Sequence, residues 1–434
     1  MTKILKKSTR RQDDKTTSFL KNKEIQNLRT SEIVGSSKFN GSEFKVQWFR
    51  VQSSKFNGSE FLAQWFRVLS SMVHVQKLPI IKIPNPFFHI FAQNNIVMKS
   101  LLGLSLAEIQ ELVNQHGLPK FTAKQITEWI YKKHTGSFDQ MTNLSKATRQ
   151  LLSENYTTGY RNFEAVQESK DGTKKYLFPG ADNFVESAYI PDKERATLCV
   201  SSQVGCKMNC LFCQTGKQGF QENLPASDIL NQILNLPEYE KLTNYVFMGM
   251  GEPMNNYDNL MRTLNVMTSD WGLAMSPTRI TVSTVGVIPY MKRFLEESKC
   301  NLAVSLHSPF HDERMKIMPV EKAYPIREVI HAIRQHDWSG QRRVFFEYIV
   351  FKGLNDTSDH IKELARQLGS LRCKVNLIRF HNIPGVNLQS PTMDDMERFR
   401  DRLNDKGIIA TIRASRGQDI DAACGLLSTK NQLG

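Results

Sequence analysis

The sequence predicts an α/β protein: a partial, TIM-like (β/α)6 barrel preceded by a small N-terminal accessory domain. Between residues 196 and 380, six runs rich in β-branched and aromatic residues alternate with segments of helical periodicity. Strands that alternate with helices form βαβ units and a parallel sheet. The run NYVFMGM is almost continuously apolar, as strands buried on both faces are. Periodicity by itself leaves an open, doubly wound sheet as the alternative.

Residues 1–97 differ from the rest of the chain. Segments 36–51 and 53–68 form a near-perfect duplication, SSKFNGSEFKVQWFRV and SSKFNGSEFLAQWFRV. Two copies are fewer than a stable repeat architecture needs. We expect residues 1–97 to be a disordered or spurious extension, with Met98 as the true start. The alternative is a basic, aromatic arm that stacks on RNA.

Residues 98–190 are predicted to form the accessory domain, which binds RNA. In SLAEIQELVNQHGL, apolar residues at helical spacing follow Ser105 as the N-cap, and Gly117 ends the helix. FTAKQITEWIYKKHTG repeats the arrangement with Gly136 as its stop. Short strands are predicted at 174–178 and 185–190. The candidate RNA-contacting residues are Lys120, Lys124, Lys132 and Lys133.

The barrel is predicted at residues 191–434, with strands in ATLCVSS, NYVFMGMG, RITVSTVG, NLAVSLHS, RVFFEYIVF and KVNLIRF. Ligands bind at the carboxyl ends of the strands both in barrels and in doubly wound sheets. The motifs that carry chemistry fall at these ends, so we expect the functional site there.

Composition and charge bear on partners and location. The net charge is +14, but residues 1–97 carry +10 of it, so charge supports RNA binding by the remainder only weakly. The longest apolar stretch, residues 78–97, is interrupted by Lys82, prolines and asparagines and is no membrane span. The N-terminus lacks the apolar core of a secretory signal. We expect a cytoplasmic protein without membrane contact.

Three of the seven cysteines lie in the loop CKMNCLFC after the first barrel strand. Thiolates at Cys206, Cys210 and Cys213 can hold three corners of a cubane cluster, because soft sulfur ligands select iron–sulfur or zinc. A structural zinc site needs four ligands, and no second CxxC or HxxxH lies nearby. CxxxCxxC is the signature of radical S-adenosylmethionine (SAM) enzymes, in which a [4Fe–4S] cluster keeps one iron open. A zinc site and unrelated cysteines are the alternatives.

The ends of the next strands offer candidates for SAM contacts. In GMGEP, Gly251 allows close backbone approach and Glu252 offers a carboxylate to the SAM ammonium. The third and fourth strands end in further candidates: Ser283, Ser305, Leu306 and His307. Each of these residues has an ordinary role in a βα turn as its alternative.

From residue 98 to residue 424 the chain resembles the RlmN-type RNA adenine-C2 methyltransferases, relatives of the Cfr-type enzymes. The motifs that carry the resemblance occur in order: TLCVSSQVGCKMNCLFCQTGKQGF, GMGEPMNNYDNL, STVGVIP, VSLHSP and SRGQDIDAACG. The family has a SAM-contacting asparagine after the sixth strand. Ungapped alignment places His381 there, beside Asn382, which is a departure from the family.

The resemblance implies a mechanism that uses two SAM molecules per turnover. Cys424 takes a methyl group from one SAM, and reductive cleavage of the other yields a 5′-deoxyadenosyl radical that removes a hydrogen atom from this group. The carbon radical adds to adenine, Glu186 accepts a proton, and Cys199 attacks sulfur, forming a disulfide and releasing product. Adenine C2 is not nucleophilic, so polar methyl transfer cannot reach it. By themselves Cys199 and Cys424 resemble small core residues, as Cys300 and Cys373 do.

The resemblance implies 23S rRNA and tRNA, at the adenosine next to the anticodon, as substrates, and a flavodoxin-like protein as electron donor. We expect a monomer. Two alternatives stay open: Cfr-type methylation at C8, and a non-catalytic iron–sulfur protein that binds RNA as a redox sensor. The second predicts four cysteine ligands and no cleavage of SAM.

Overall fold

The computed structural model describes residues 98–180 and 183–429, and the backbone of two further strands, Val34–Phe39 and Ser42–Gln47, which pair antiparallel. The described residues from 98 to 429 belong to one compact unit. The predicted disordered or spurious character of residues 1–97, and the alternative of an RNA-binding arm, lie outside the described residues.

One ten-stranded sheet organises this unit. Its strands, numbered here in chain order, are β1 Ala165–Glu168, β2 Lys174–Pro179, β3 Phe184–Asp192, β4 Arg195–Cys199, β5 Asn244–Phe247, β6 Ile280–Thr284, β7 Asn301–Ser305, β8 Val344–Val350, β9 Cys373–Arg379 and β10 Ala410–Ile412. Strands β4 to β10 are parallel, and β1 to β4 are antiparallel neighbours. Two-residue strands pair Lys99–Ser100 with Tyr156–Thr157 and Gln203–Val204 with Glu222–Asn223.

The order of the parallel strands confirms the partial barrel. They follow one another across the sheet in chain order without a reversal, whereas a doubly wound sheet reverses at a switch point. Right-handed crossovers that all proceed in one direction place the connecting helices on one face of the sheet. The sheet curls so that its other face is enclosed. The edges at β1 and β10 leave the barrel open.

The structure adds sheet that the sequence did not predict. Strand β10 is a seventh parallel strand, and at three residues it is too short for a periodic pattern. The short strands predicted at 174–178 and 185–190 are present as β2 and β3; β2 hydrogen-bonds to β3, and β3 hydrogen-bonds to the first barrel strand β4. The sheet is therefore continuous across residue 190.

The helices are α1 Leu106–Gln115, α2 Thr122–Tyr131, α3 Lys146–Asn155, α4 Gln214–Gln218, α5 Ala226–Leu234, α6 Tyr257–Thr268, α7 Ile288–Glu297, α8 His311–Ile317, α9 Ile326–Arg334, α10 Ser358–Leu368 and α11 Met393–Asp405. Short 3₁₀ turns occupy Phe138–Gln140, Tyr239–Lys241, Pro253–Asn256, Pro277–Arg279, Pro319–Lys322 and Gln418–Ile420. Within the described ranges, none of the helices has the length and apolar character that crossing a membrane requires.

The accessory helices end differently from each other. Ser105 and Glu108 form a capping box at the start of α1, and Gly117 follows its end with a φ of 65°, as predicted. The predicted stop of α2 at Gly136 is wrong, because α2 ends at Tyr131 and the chain turns through His134, whose φ is 51°. A non-glycine residue in the left-handed region leaves no periodic signal in a sequence.

Candidate active site

One face of the sheet carries four of the predicted site residues. Ala188 pairs with Cys199 across β3 and β4. Because side chains alternate along a strand, Glu186 lies on the same face as Cys199. Following the pairs from strand to strand puts Ser283 and Ser305 on this face as well. The side chains that alternate with these point to the opposite face of the sheet, under the helices. Leu198, Val282 and Val304, for example, are apolar and fully buried there.

The cysteine loop links β4 to α4. Cys206 and Cys210 are buried and Cys213 is half-buried. The backbone N–H of Cys206 donates to the carbonyl of Gly219 over 3.2 Å, and the N–H of Leu211 donates to Ile317 at the end of α8 over 2.9 Å. These bonds seat the loop against the carboxyl end of the barrel.

The donor set of this loop fits the implied cluster. Burial, together with the neighbouring thiol of Cys213, raises the pKa of Cys206 to about 12, and the same two causes raise the pKa of Cys210. The three sulfurs thus lie within electrostatic reach of one another. No group of three metal-binding side chains in the described residues is close enough to hold a single ion. A cubane makes a different demand, since each thiolate binds its own iron.

His307 contacts the cysteine loop from the end of β7. Its ring stands edge-on to Phe212 with the centroids 4.8 Å apart. Nδ1 accepts a hydrogen bond from the N–H of Ile349 over 3.0 Å, so Nε2 carries the proton. Burial lowers the pKa of His307 to about 3, which keeps the imidazole neutral. The adjoining Leu306 is fully buried.

The GMGEP turn braces the ends of two strands. Gly251 has a φ of 100°, and a Cβ there would come within 2.5 Å of Gln203, so only glycine fits. The buried carboxylate of Glu252 accepts hydrogen bonds from the N–H groups of Met254, at 3.1 Å, and Val285, at 2.9 Å. Desolvation raises the pKa of Glu252 to about 7. The carboxylate therefore joins β5 to β6, and with about four lone-pair sites it keeps capacity to accept from a ligand.

The C-terminal segment, residues 422–429, packs on the cysteine loop. The N–H of Gln214 donates to the carbonyl of Gly425 over 2.8 Å. Cys424 is accessible to solvent, yet the protein atoms around it desolvate the thiol and raise its pKa. The thiol thus lies in a crowded position that a ligand can reach.

Cys199 is buried and belongs to one apolar contact cluster with Ala188 and Ala422. Burial, together with the neighbouring thiol of Cys424, raises the pKa of Cys199 to about 12. The fold has therefore brought both cysteines and the cysteine loop together. All seven cysteines are free, so the disulfide named in the sequence analysis is not a feature of this structure.

Glu186 is fully buried on β3. Its Oε1 pairs with Nζ of Lys175 at 3.1 Å, and its Oε2 accepts the N–H of Ser428 over 2.9 Å. Burial raises the pKa of Glu186, and Lys175 opposes this shift. The candidate base thus touches the segment that carries Cys424.

His381 lies in the loop after β9. Its Nε2 is 3.0 Å from Oγ of Ser415, and burial lowers its pKa. The neighbouring Asn382 is exposed, and its Oδ1 accepts a hydrogen bond from Ser390 over 3.2 Å. The assignment of His381 as a SAM contact stays a prediction.

Sequence reasoning missed a polar network on the same sheet face. Nδ2 of Asn376 donates to Oε1 of Glu347 over 2.7 Å, and Arg413 lies 3.8 Å from that oxygen. Burial raises the pKa of Glu347, and its charge in turn raises that of Cys424. The available signal was a lone charge inside the apolar run RVFFEYIVF.

Two parts of the chain match models of known protein families. Residues 200–368 match the Radical SAM superfamily, and residues 99–158 match the ribosomal RNA large subunit methyltransferase N-terminal domain. A crystal structure of a radical SAM methyltransferase from Sphaerobacter thermophilus superposes with a TM-score of 0.72 at 38% identity, covering 76% of this chain and 99% of that one.

Curated relatives cover the same part of the chain. The probable dual-specificity RNA methyltransferase RlmN of Parabacteroides distasonis is 58% identical over 77% of this chain and 98% of its own length. The corresponding protein of Bacteroides thetaiotaomicron is 56% identical over 76% and 96%, and the dual-specificity RNA methyltransferase RlmN of Syntrophus aciditrophicus 42% identical over 75% and 95%. The non-catalytic alternative is therefore wrong. The chain is an enzyme and belongs to the RlmN family of radical SAM methyltransferases.

Proposed function

We propose that this enzyme methylates C2 of adenosine in 23S rRNA and in tRNA, next to the anticodon, through an S-methylcysteine at Cys424. The observation that carries the proposal is the meeting of two free cysteines beside the cysteine loop. Cys199 arrives on β4 and Cys424 on the C-terminal segment, and the same contact cluster holds both regions. A covalent route through one thiol requires a second thiol to release the product.

Cys206, Cys210 and Cys213 would hold the cluster, which together with SAM would supply a carbon-centred radical that can remove a hydrogen atom. Gly251, Glu252, Ser283, Ser305, Leu306, His307 and His381 are the residues proposed to hold SAM. The neutral imidazole of His307 can donate from Nε2, and Glu252 can accept from an ammonium group through its remaining lone pairs.

Cys424 is the nucleophile of methyl loading. Its thiol loses a proton, its sulfur bonds to the methyl carbon, and the sulfonium bond of one SAM breaks. A second SAM is consumed in radical formation, which makes two per turnover. The accessible position of Cys424 suits a thiol that must meet both a cofactor and an RNA base.

Glu186 and Cys199 complete the reaction. Addition of the carbon radical leaves an unpaired electron on the ring, which the oxidised cluster would take back, and Glu186 accepts the proton from the carbon that gains the methyl group. The Cys199 thiolate then attacks the sulfur of Cys424, a disulfide forms, and the carbon–sulfur electron pair leaves with the product and takes up a proton. An external reductant restores both thiols. A resolving thiol has to be free at the outset, and Cys199 is free in the structure.

Partners follow from the same proposal. A flavodoxin-like protein would supply the electron, the enzyme would meet its RNA in the cytoplasm, and it would act as a monomer. Lys120, Lys124 and Lys132 are exposed, as RNA-contacting residues must be. Lys133 stands 3.9 Å from the ring centre of Trp129.

Nucleoside mass spectrometry on RNA from a deletion strain tests the function. We expect C2-methyladenosine to disappear from 23S rRNA and tRNA and to return when the gene is restored. Loss of C8-methyladenosine instead would establish the Cfr-type reaction. An unchanged level of both nucleosides would contradict the proposal.

A further inference from the structure

Arg314 on α8 is a fully buried cation that joins separate parts of the site. Its guanidinium pairs with the buried carboxylate of Glu321. Nε donates to the carbonyl of Leu306 over 2.9 Å, and Nη2 donates to the carbonyls of Val285 and Ser305 over 2.8 and 2.9 Å. A planar guanidinium can serve these acceptors together, because its donors form a rigid fork.

The three carbonyls lie where β6 and β7 end. Ser305 is the last residue of β7, and Leu306 precedes His307, whose φ of 57° lies in the left-handed region. Such a conformation in a residue with a side chain persists only where the surroundings impose it. Arg314 holds the peptide unit that leads into His307, and Asn355 holds the one that follows, by donating to its carbonyl over 2.6 Å.

The same helix supports the cysteine loop. Ile317, one turn after Arg314, accepts the hydrogen bond from the N–H of Leu211, which follows Cys210. The ring of His307 packs against Phe212 in this loop. The two strand ends, the loop and α8 therefore meet around one guanidinium.

We propose that Arg314 is a positioning residue of the SAM site, which holds the turn from Ser305 to His307 against the cysteine loop through its fork of donors. This inference rests on the proposed function, because that function places SAM at these strand ends. Lysine at this position would keep the charge but present its donors from one atom, so it could not serve the separate carbonyls together.

The test measures SAM affinity by equilibrium dialysis in the reconstituted, cluster-loaded protein, and the change that SAM causes in the electron paramagnetic resonance spectrum of the reduced cluster. For Arg314→Lys we expect affinity about tenfold weaker, as for the loss of a buried hydrogen-bonding arrangement, and a diminished spectral change at parental iron content. Arg342→Lys is the matched control. Arg342 also donates to two carbonyls, of Leu295 at 2.7 Å and Phe294 at 3.2 Å, but at the end of α7. It should lower thermal stability without weakening SAM binding.

Parental SAM affinity in Arg314→Lys would overturn the proposal, and so would a loss of affinity that only follows the loss of iron. If Arg314→Lys does not fold, Glu321→Gln provides the test, because it removes the charge that pairs with the guanidinium of Arg314 and leaves the guanidinium itself in place. We expect weaker SAM binding there as well, and parental binding would overturn the proposal. No RNA is present in these measurements. A failure of the proposed RNA product would therefore appear in nucleoside analysis and leave this result unaffected.

Discussion

The carboxylate of Glu186 accepts a hydrogen bond from the backbone N–H of Ser428 over 2.9 Å, although 242 residues separate the two in the sequence. Ser428 follows Cys424 by four residues, so this bond fixes the C-terminal segment beside the candidate base. The residues proposed to accept the proton and to carry the methyl group are thereby linked by one short piece of chain.

Glu186→Gln should reduce formation of methylated RNA by about 100-fold or more, the usual contribution of a general base. Methyl loading of Cys424, which does not use Glu186, should persist and shows that the protein is folded. Glu238→Gln is a matched control, since Glu238 also pairs with a lysine, Lys174, at 3.0 Å. Parental product formation by Glu186→Gln would contradict the role as base.

The rate of product formation should also depend on pH through Glu186. Burial raises the pKa of Glu186 above its ordinary value. Only the ionised carboxylate accepts a proton, so the rate should fall as pH falls through the raised pKa and level off above it. Single-turnover assays from methyl-loaded protein measure this step. A profile in Glu186→Gln that matches the parent would assign the titration to another group.

Cys424→Ala should abolish methyl loading and leave the cluster in place. The substitution removes the sulfur that is proposed to accept the methyl group, while the three proposed cluster ligands lie elsewhere. Intact-protein mass spectrometry after incubation with SAM, together with iron and sulfide analysis, measures both outcomes. Cys300→Ala, at a buried cysteine without a proposed role, should load methyl as the parent does. Methyl loading in Cys424→Ala would place the acceptor on another residue.

Cys199→Ala should trap RNA covalently on the protein, because the adduct forms but no thiol remains to break it. Denaturing electrophoresis with labelled RNA reveals the adduct as a retarded band. Cys373→Ala provides the comparison and should release its product. Turnover by Cys199→Ala at the parental rate would refute the resolving role.

Alanine at Cys206, Cys210 or Cys213 should prevent cluster assembly, because two thiolates from this loop cannot hold a cubane in place of three. Iron and sulfide content and the absorbance of the reconstituted protein measure the loss, and reduction with SAM should yield no 5′-deoxyadenosine. Full cluster content in any of the three variants would show that its cysteine is not a ligand.

A chain that begins at Met98 should methylate RNA at the parental rate if residues 1–97 are dispensable, as the sequence predicts. The family match begins at residue 99, which supports this expectation. RNA affinity and product formation of the two chains give the comparison. A large loss of RNA affinity on truncation would favour the basic, aromatic arm instead.

Local patterns in the sequence predict the fold class and the cysteine loop of this protein. Cys206, Cys210 and Cys213 lie on one loop, so their spacing alone predicts a ligand set. The periodicity of strands and helices predicts a parallel α/β fold because it reflects local backbone geometry. The end of α2 was predicted wrongly because periodicity reports only regular local geometry. A turn through His134 depends on a backbone angle that no periodic pattern reports.

Tertiary structure decided which distant residues meet. Strand register places Glu186 and Cys199 on one face, and a one-residue slip would turn each of them to the other. Packing of the C-terminal segment brings Cys424 close to them. Arg314 and Glu347 are buried, and their contacts include residues distant in the sequence. The sequence by itself thus determined the groups that lie close together along the chain, such as the cysteine loop. The assembly of the site depended on strand pairing and burial between distant residues, which only the folded chain establishes.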